Sequence, residues 1–197
     1  LCCSLYDESS SNVDMVAARD LGIEILGVRD YGDEGVVEFV LAELIALVKG
    51  LREDRQWRDE PWELGAMSLG VLGMGRTGSM VALAAKALGM DVRYFNRSRK
   101  PEVEALGIDY LPLRELLASS DAITTHLPRG SFVIDHPGFA ITRDDAILIN
   151  TARGGLVDQS ALLEALKTGV IFGAGLDTFA QEPTTATDPL GPAGQIQ

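Results

Sequence analysis

The sequence predicts an α/β fold, a parallel sheet wound by helices on both faces, and three observations predict it. Short apolar strands alternate with helical segments over most of the chain. Three glycines, Gly73, Gly75 and Gly78, follow an apolar strand at Val71 and Leu72 and open an alanine-rich helix. Polar clusters stand at the ends of three later strands, where a sheet of this kind gathers its functional residues.

Val13 to Leu21 reads as a short helix stopped by Gly22, and Ile23 to Val28 as a strand running into a turn at Asp30 to Gly35. From Val36 to Val48 a helix is apolar almost throughout, with only Glu38 and Glu43 interrupting. No single amphipathic face describes it, so it needs cover on several sides, and a second copy of the chain is the expected source: a homodimer. Leu51 to Glu63 is polar and reads as a linker or arm, although Trp57 and Trp62 within it need burial.

The glycine run has the spacing G-x-G-x-x-G. Gly73 permits the tight turn, Gly75 leaves room for a pyrophosphate to approach backbone, and Gly78 lets the helix lie close to its strand. The phosphate charge then meets N–H groups at the helix start, around Arg76 and Thr77. Met80, Val81, Leu83, Ala84, Ala87 and Leu88 form the apolar stripe of this helix, which Gly89 ends with a positive φ. A second strand, Val92 to Phe95, completes a Rossmann-type unit, and a nicotinamide cofactor is expected.

An acidic residue after that strand would bond a ribose 2′-hydroxyl and repel a 2′-phosphate. Here Asn96 stands in its place, followed by Arg97, Ser98 and Arg99, two guanidinium forks and a hydroxyl suited to a phosphate. NADP is therefore favoured over NAD. The plainer alternative is that Arg97, Arg99 and Lys100 form a solvated basic turn.

The pattern continues with a strand from Ile108 to Leu111, a helix from Pro112 to Ser119, and a strand from Ala122 to Leu127 that Pro128 ends. A strand from Ile147 to Ile149, a helix from Ser160 to Thr168 closed by Gly169, and a strand from Phe172 to Leu176 follow. The polar segments Thr124 to Pro128, Asn150 to Asp158 and Gly175 to Pro183 should converge on one crevice. An arginine there can fork onto a carboxylate and polarise a neighbouring carbonyl, as hydride addition to a 2-keto acid requires. Arg153 is that candidate; the alternative is an arginine paired with Asp158.

With 197 residues, 46% of them hydrophobic, the chain can bury one full domain and a fragment of another. A net charge of −12 argues against nucleic acid or an anionic membrane as partner. Cys2 and Cys3 are adjacent and make no disulfide framework, which suits a reducing cytoplasm. No run of about 18 uncharged apolar residues and no signal-peptide pattern occurs. The chain lacks an initiator methionine and closes on an untethered stretch, Gly191 to Gln197, so both ends read as cut. No metal is expected, since two histidines and two adjacent cysteines lack ligand spacing.

The ordered motifs resemble those of the D-isomer-specific 2-hydroxyacid dehydrogenase family over nearly the whole chain. Asn150-Thr151-Ala152-Arg153-Gly154 with Val157-Asp158 and Leu176-Asp177 with Glu182-Pro183 carry the resemblance most specifically. It implies that Arg153 holds the substrate carboxylate and carbonyl, and that Leu127, Pro128, Thr151 and Ala152 border the cofactor. It also implies that Asp177 contacts the nicotinamide carboxamide and that Glu182 orients and tunes a catalytic histidine. Cys3 to Asp7 is similar to the loop whose backbone N–H groups meet the substrate carboxylate, which makes Ser4 and Leu5 substrate-binding candidates. Leu5 stands where the family often has glycine. On this reading residues 1–35 are a remnant of the substrate domain, 36–63 an interdomain and dimerisation helix with a linker, and 64–197 the dinucleotide-binding domain.

Departures from the family pattern are equally specific. Its acid/base histidine lies beyond the Glu-Pro segment, and this sequence reaches Gln197 first, so a fragment truncated before that histidine is expected. Hydride transfer without a poised acid loses roughly 10²–10⁴-fold. Arg129 to Arg143 lacks the family's threonine-proline-glutamate run. His126 reads as a hydrogen-bonding or pocket-lining group ahead of a proton donor, and His136 as loop. The expected function is NAD(P)-dependent hydride transfer on a small 2-hydroxy or 2-keto acid. The alternative is a non-catalytic NAD(P)-binding sensor or interaction module.

Overall fold

Residues 2–4, 13–28, 32–51, 55–128, 130, 134–179 and 195–196 are described by the structure, a computed structural model. The chain divides into two units, Leu1–Glu34 and Gly35–Gln197. In the first, β1 (Cys2–Ser4) pairs in parallel with β2 (Leu26–Val28), Ser4 opposite Val28. Between them lies α1 (Met15–Asp20), whose first-turn N–H groups of Val16 and Ala17 are capped by the Asp14 carboxylate. The strand expected from Ile23 begins at Leu26.

α2 (Asp33–Lys49) begins three residues before the expected Val36, with Asp33 and Glu34 in its first turn, where the helix dipole favours negative charge. Val40, Leu44, Leu47 and Val48 are buried by the chain itself, while Val36, Val37, Leu41 and Ile45 are only half-covered. Of the two interrupting carboxylates Glu38 is exposed, and Glu43 is buried beside Gly175, where a Cβ would come within 3.0 Å of the Glu43 Cβ.

The second unit carries β3 (Ser68–Leu72), α3 (Arg76–Ala87), β4 (Asp91–Phe95), α4 (Pro101–Glu104), β5 (Asp109–Tyr110), α5 (Leu113–Ser119) and β6 (Ala122–Thr125). After these come α6 (His136–Phe139), β7 (Ala146–Asn150), α7 (Gln159–Thr168), β8 (Ile171–Leu176) and β9 (Gln195–Ile196). The strands lie in the order β5-β4-β3-β6-β7-β8-β9, all parallel except β9. The order reverses between β3 and β6, and in such sheets that is where ligands bind.

Two apolar layers sandwich the sheet. Leu44 and Leu47 of α2 and Val81, Ala82 and Ala85 of α3 pack with Leu69, Val71, Ile147 and Phe172. Leu116 and Leu117 of α5, Phe139 of α6 and Leu162 of α7 pack with Leu72, Ile123, Leu148 and Leu176 on the other side.

Several readings need correction, among them the untethered closing stretch, where Gln195 and Ile196 of β9 pair with Gly175 and Ala174 of β8. The buried face of α3 is Gly78, Val81, Ala82 and Ala85; of the expected stripe only Val81 is on it, Met80 and Ala84 are half-buried, Leu83 and Leu88 are each 45% exposed and Ala87 is also exposed. Close approach to the sheet selects the small residues at helical spacing, and the leucines turn outward. His136 is not loop but the first residue of α6, which Asp135 caps through Gly138 N and Pro137 starts. α4 was not foreseen; Pro101 opens it. The expected strands at 108–111 and 122–127 shorten to β5 and β6, with Ile108 and Leu111 flanking the first and His126 and Leu127 following the second.

Within the second unit the polar 55–63 stretch packs against the turn before β7. Trp57 is buried, donates from Nε1 to the Asp145 carbonyl at 2.7 Å, and meets Trp62 edge to face at 5.8 Å. Arg58 lies over the Trp57 ring and pairs with Asp145 at 2.9 Å. Asp145 itself has φ 64°, the left-handed region that side chains other than Gly and Asn seldom enter.

Candidate functional site

Parallel register brings five strand ends to one level. Leu72 pairs with Phe95 and with Thr125, Thr125 with Asn150, and Asn150 with Leu176. The segments that leave these ends therefore rise side by side over one edge of the sheet.

After β3 the chain makes its glycine turn. Gly73 has φ 99°, and a Cβ there would also strike the His126 carbonyl oxygen at 2.6 Å, so only glycine fits. A Cβ on Gly78 would stand 2.0 Å from the Gly73 carbonyl oxygen. Gly75, by contrast, faces open space, with nothing within 4 Å of a Cβ, and α3 starts from it without a side-chain cap. An uncapped helix start beside vacant room, with Arg76 and Thr77 in its first turn, fits a dinucleotide pyrophosphate.

At the end of β4, Asn96 ties two segments together, accepting from Met74 N at 3.3 Å and donating to the Ser98 carbonyl at 3.0 Å. Arg97 and Ser98 are exposed. Arg99 is engaged: its Nε donates to Glu104 Oε1 at 3.0 Å, its Nη2 meets Glu104 Oε2, and the guanidinium lies 5.5 Å over the Tyr110 ring. That contact holds the Glu104 carboxyl below the usual carboxylate range and raises the Arg99 guanidinium.

Beyond β6 run His126, the half-buried Leu127 and the exposed Pro128. Burial pushes the His126 imidazole down to about 4, and its Nε2 lies 3.0 Å from Thr124 Oγ1. A ring neutral at pH 7 is no proton donor, which favours the hydrogen-bonding role over the acid.

Beyond β7 the fully buried Asn150 organises the loop. Its Oδ1 accepts from Thr125 Oγ1 at 2.6 Å and from Ala152 N at 3.2 Å, and its Nδ2 donates to the Arg153 carbonyl at 3.0 Å. Arg153 is exposed and its Nη1 donates to the Ala152 carbonyl at 2.6 Å. The alternative partner, Asp158, instead caps α7 through Ala161 N at 2.9 Å and accepts from Ser160 Oγ at 2.6 Å, bonds that lower its carboxyl. Asp177, just past β8, is exposed and anchored by its N–H to the Asn150 carbonyl at 3.0 Å.

Among the described residues four buried side-chain polar atoms lack a hydrogen-bond partner: Trp62 Nε1, Thr151 Oγ1, Gln159 Nε2 and Thr178 Oγ1. Two of them, Thr151 and Thr178, sit at strand ends of this edge, where a ligand or an ordered water satisfies such a hydroxyl. The sequence places Asn150 and Thr178 within these polar segments but assigns a role to neither. An asparagine closing a strand ahead of a Gly-Gly pair was the available signal for Asn150, since its amide readily folds back onto the following backbone. Ser4 closes β1 in the first unit, and Leu5 and Glu182 lie outside the described residues.

A glycine cradle at the switch point of a β5-β4-β3-β6-β7-β8 sheet defines a dinucleotide-binding α/β domain of the Rossmann type. The family model for the D-isomer specific 2-hydroxyacid dehydrogenase NAD binding domain matches residues 41–195, and this chain belongs to that family. Glyoxylate reductase of Korarchaeum cryptofilum (strain OPF8) is 36% identical over 202 residues, covering 94% of this chain and 61% of the relative. D-3-phosphoglycerate dehydrogenase of Archaeoglobus fulgidus (strain ATCC 49558) is 34% identical over 192 residues, with 91% and 36% covered. Among solved structures, D-lactate dehydrogenase from Aquifex aeolicus, complexed with NAD and lactic acid, superposes with a TM-score of 0.73 at 33% identity, over 86% of this chain and 55% of that one. The chain spans about three fifths of the length of the glyoxylate reductases it matches. Among the described residues no helix is long and apolar enough to cross a membrane.

Proposed function

We propose that the chain is the coenzyme-binding part of an NAD(P)-dependent oxidoreductase that interconverts a small 2-hydroxy acid and its 2-keto acid. The observation that carries this reading is the common level of the strand ends, which sets the glycine cradle, the orphaned Thr151 hydroxyl, Arg153 and Asp177 along one edge. The activities named for the relatives, glyoxylate reductase and D-lactate dehydrogenase among them, share this chemistry.

A bound nicotinamide supplies or accepts the hydride. Gly73, Gly75, Gly78 and the first turn of α3 take the pyrophosphate. Leu127, Pro128, Thr151 and Ala152 border the coenzyme, and Asp177 orients the carboxamide. Arg153 holds the substrate carboxylate and stabilises charge on the carbonyl oxygen, a role its exposed guanidinium can fill because among the described residues only the neighbouring Ala152 carbonyl engages it. Glu182 orients the acid/base histidine that the family pattern sets after the Glu-Pro segment. NADP is the favoured coenzyme, because Asn96 replaces the acidic ribose ligand and Arg97 has no ion pair among the described residues. The half-covered residues of α2 provide the contact for a homodimer.

Titration of the full-length protein with NADH and NADPH, followed by absorbance assays with glyoxylate, hydroxypyruvate and pyruvate, tests the proposal. Coenzyme binding with turnover of at least one keto acid is the expected result. Binding without any turnover would favour a sensor, and binding of neither coenzyme overturns the reading.

A further inference from the structure

The loop after β4 is braced from below by a network that the coenzyme reading leaves unused. Tyr94 is fully buried, donates from its phenol to Glu104 Oε1 at 2.8 Å, and accepts from Lys100 N at 2.6 Å. Glu104 thereby stands at a fixed point at the end of α4, and from there its two oxygens fork onto Nε and Nη2 of Arg99. The planar guanidinium is held a second time by Tyr110, whose ring packs edge to face on Tyr94 at 5.5 Å. Lys100 lies 3.9 Å from Glu102. Of the loop's three cations, two face carboxylates of the same short helix, and Arg97 remains without one among the described residues.

A carboxylate fork and a phosphate compete for the same guanidinium edge, because both present paired anionic oxygens at matching spacing. We propose that Glu104 is a selectivity-setting residue: it occupies Arg99, so that a coenzyme bearing a 2′-phosphate must take this guanidinium from a carboxylate, whereas one bearing a 2′-hydroxyl need not. The inference rests on the reading of residues 96–99 as the adenosine ribose site. Glu104 acts through Arg99 and is a positioning residue. It tempers the preference for NADP that the basic loop would otherwise impose.

The test measures dissociation constants of NADPH and NADH for the full-length protein and for Glu104→Gln. Glutamine keeps the shape and an acceptor for the Tyr94 phenol but cannot pair ionically with Arg99. The NADPH/NADH affinity ratio is expected to rise by about fivefold, with NADH affinity unchanged, which is the scale of one freed surface charge. Glu102→Gln removes the same charge two residues away and is expected to move the ratio less than half as far. Combining Glu104→Gln with Arg99→Gln is expected to abolish the gain. Should Glu104→Gln not fold, Glu104→Asp, one methylene too short for the fork, is expected to give the same direction.

An unmoved ratio, an equal loss for both coenzymes, or an equal shift in Glu102→Gln overturns the inference while leaving the coenzyme reading in place. Binding of neither coenzyme by the unsubstituted protein overturns both.

Discussion

Gly78 and Gly73 touch so closely that a methyl group on the first would stand 2.0 Å from the carbonyl oxygen of the second. This contact sets the first turn of α3 against the end of β3, and Gly75 lies between the two with open space at its own Cβ position. The two glycines therefore fail differently. Gly78→Ala should lose roughly 1–3 kcal/mol of stability through overpacking and weaken coenzyme binding as the helix start moves. Gly75→Ala should leave the denaturation midpoint nearly unchanged yet weaken coenzyme binding about tenfold or more. Equal stability losses in the two variants would refute the assignment of Gly75 to the ligand.

His126 provides a pH signature. The folded ring resists protonation down to about pH 4, whereas an unfolded one takes its proton near 6.5. Between those values the unfolded chain binds more protons, so acid favours unfolding, by up to about 1.4 kcal/mol per pH unit for this one group. Stability is full above pH 6.5 and falls as pH drops toward 4. Denaturant midpoints across that window should show a shallower decline in His126→Gln than in the unsubstituted protein, and an imidazole resonance titrating near 6.5 in the folded state would contradict the assignment.

Trp57 fastens the segment before β3 to the turn before β7. Trp57→Phe keeps most of the apolar contact but deletes the donor to the Asp145 carbonyl, at a cost of about 1 kcal/mol. The expected loss in chemical denaturation leaves coenzyme affinity intact, because neither residue belongs to the strand-end edge.

Among the described residues Arg153 makes only a local bond to Ala152, so Arg153→Gln should change folding stability by no more than about 0.5 kcal/mol. If it holds the carboxylate and the carbonyl oxygen, kcat/KM for a 2-keto acid in the full-length protein should fall by about 10²–10³. NADH affinity should stay as it was. A variant with unaltered kinetics would remove Arg153 from the site.

Local chemistry accounts for what could be read in advance. Alternating strands and helices, the G-x-G-x-x-G spacing, and Gly22, Gly89 and Gly169 at helix ends each follow from neighbours within one turn or one strand, and each is present in the fold. The polar strand ends were legible too, because a parallel sheet of this class places its ligand at the carboxyl ends of its strands. The phase of α3 was not. Leu83 and Leu88 have the apolar surface of core residues, but the close approach of Gly78 to Gly73, itself expected from the glycine spacing, turns the small face inward, a consequence that hydrophobic pattern alone misses.

By itself the chain's sequence determined the fold class, the glycine turn and the family, because periodicity, glycine conformations and motif spacing act over short stretches. Tertiary structure alone decided that Glu104 holds Arg99, that Asn150 shapes the loop carrying Arg153, that His126 stays uncharged and that Trp57 closes on Asp145. Each of these depends on where a side chain finds its partner or loses its water, and such choices are made only when separate strands and helices pack together.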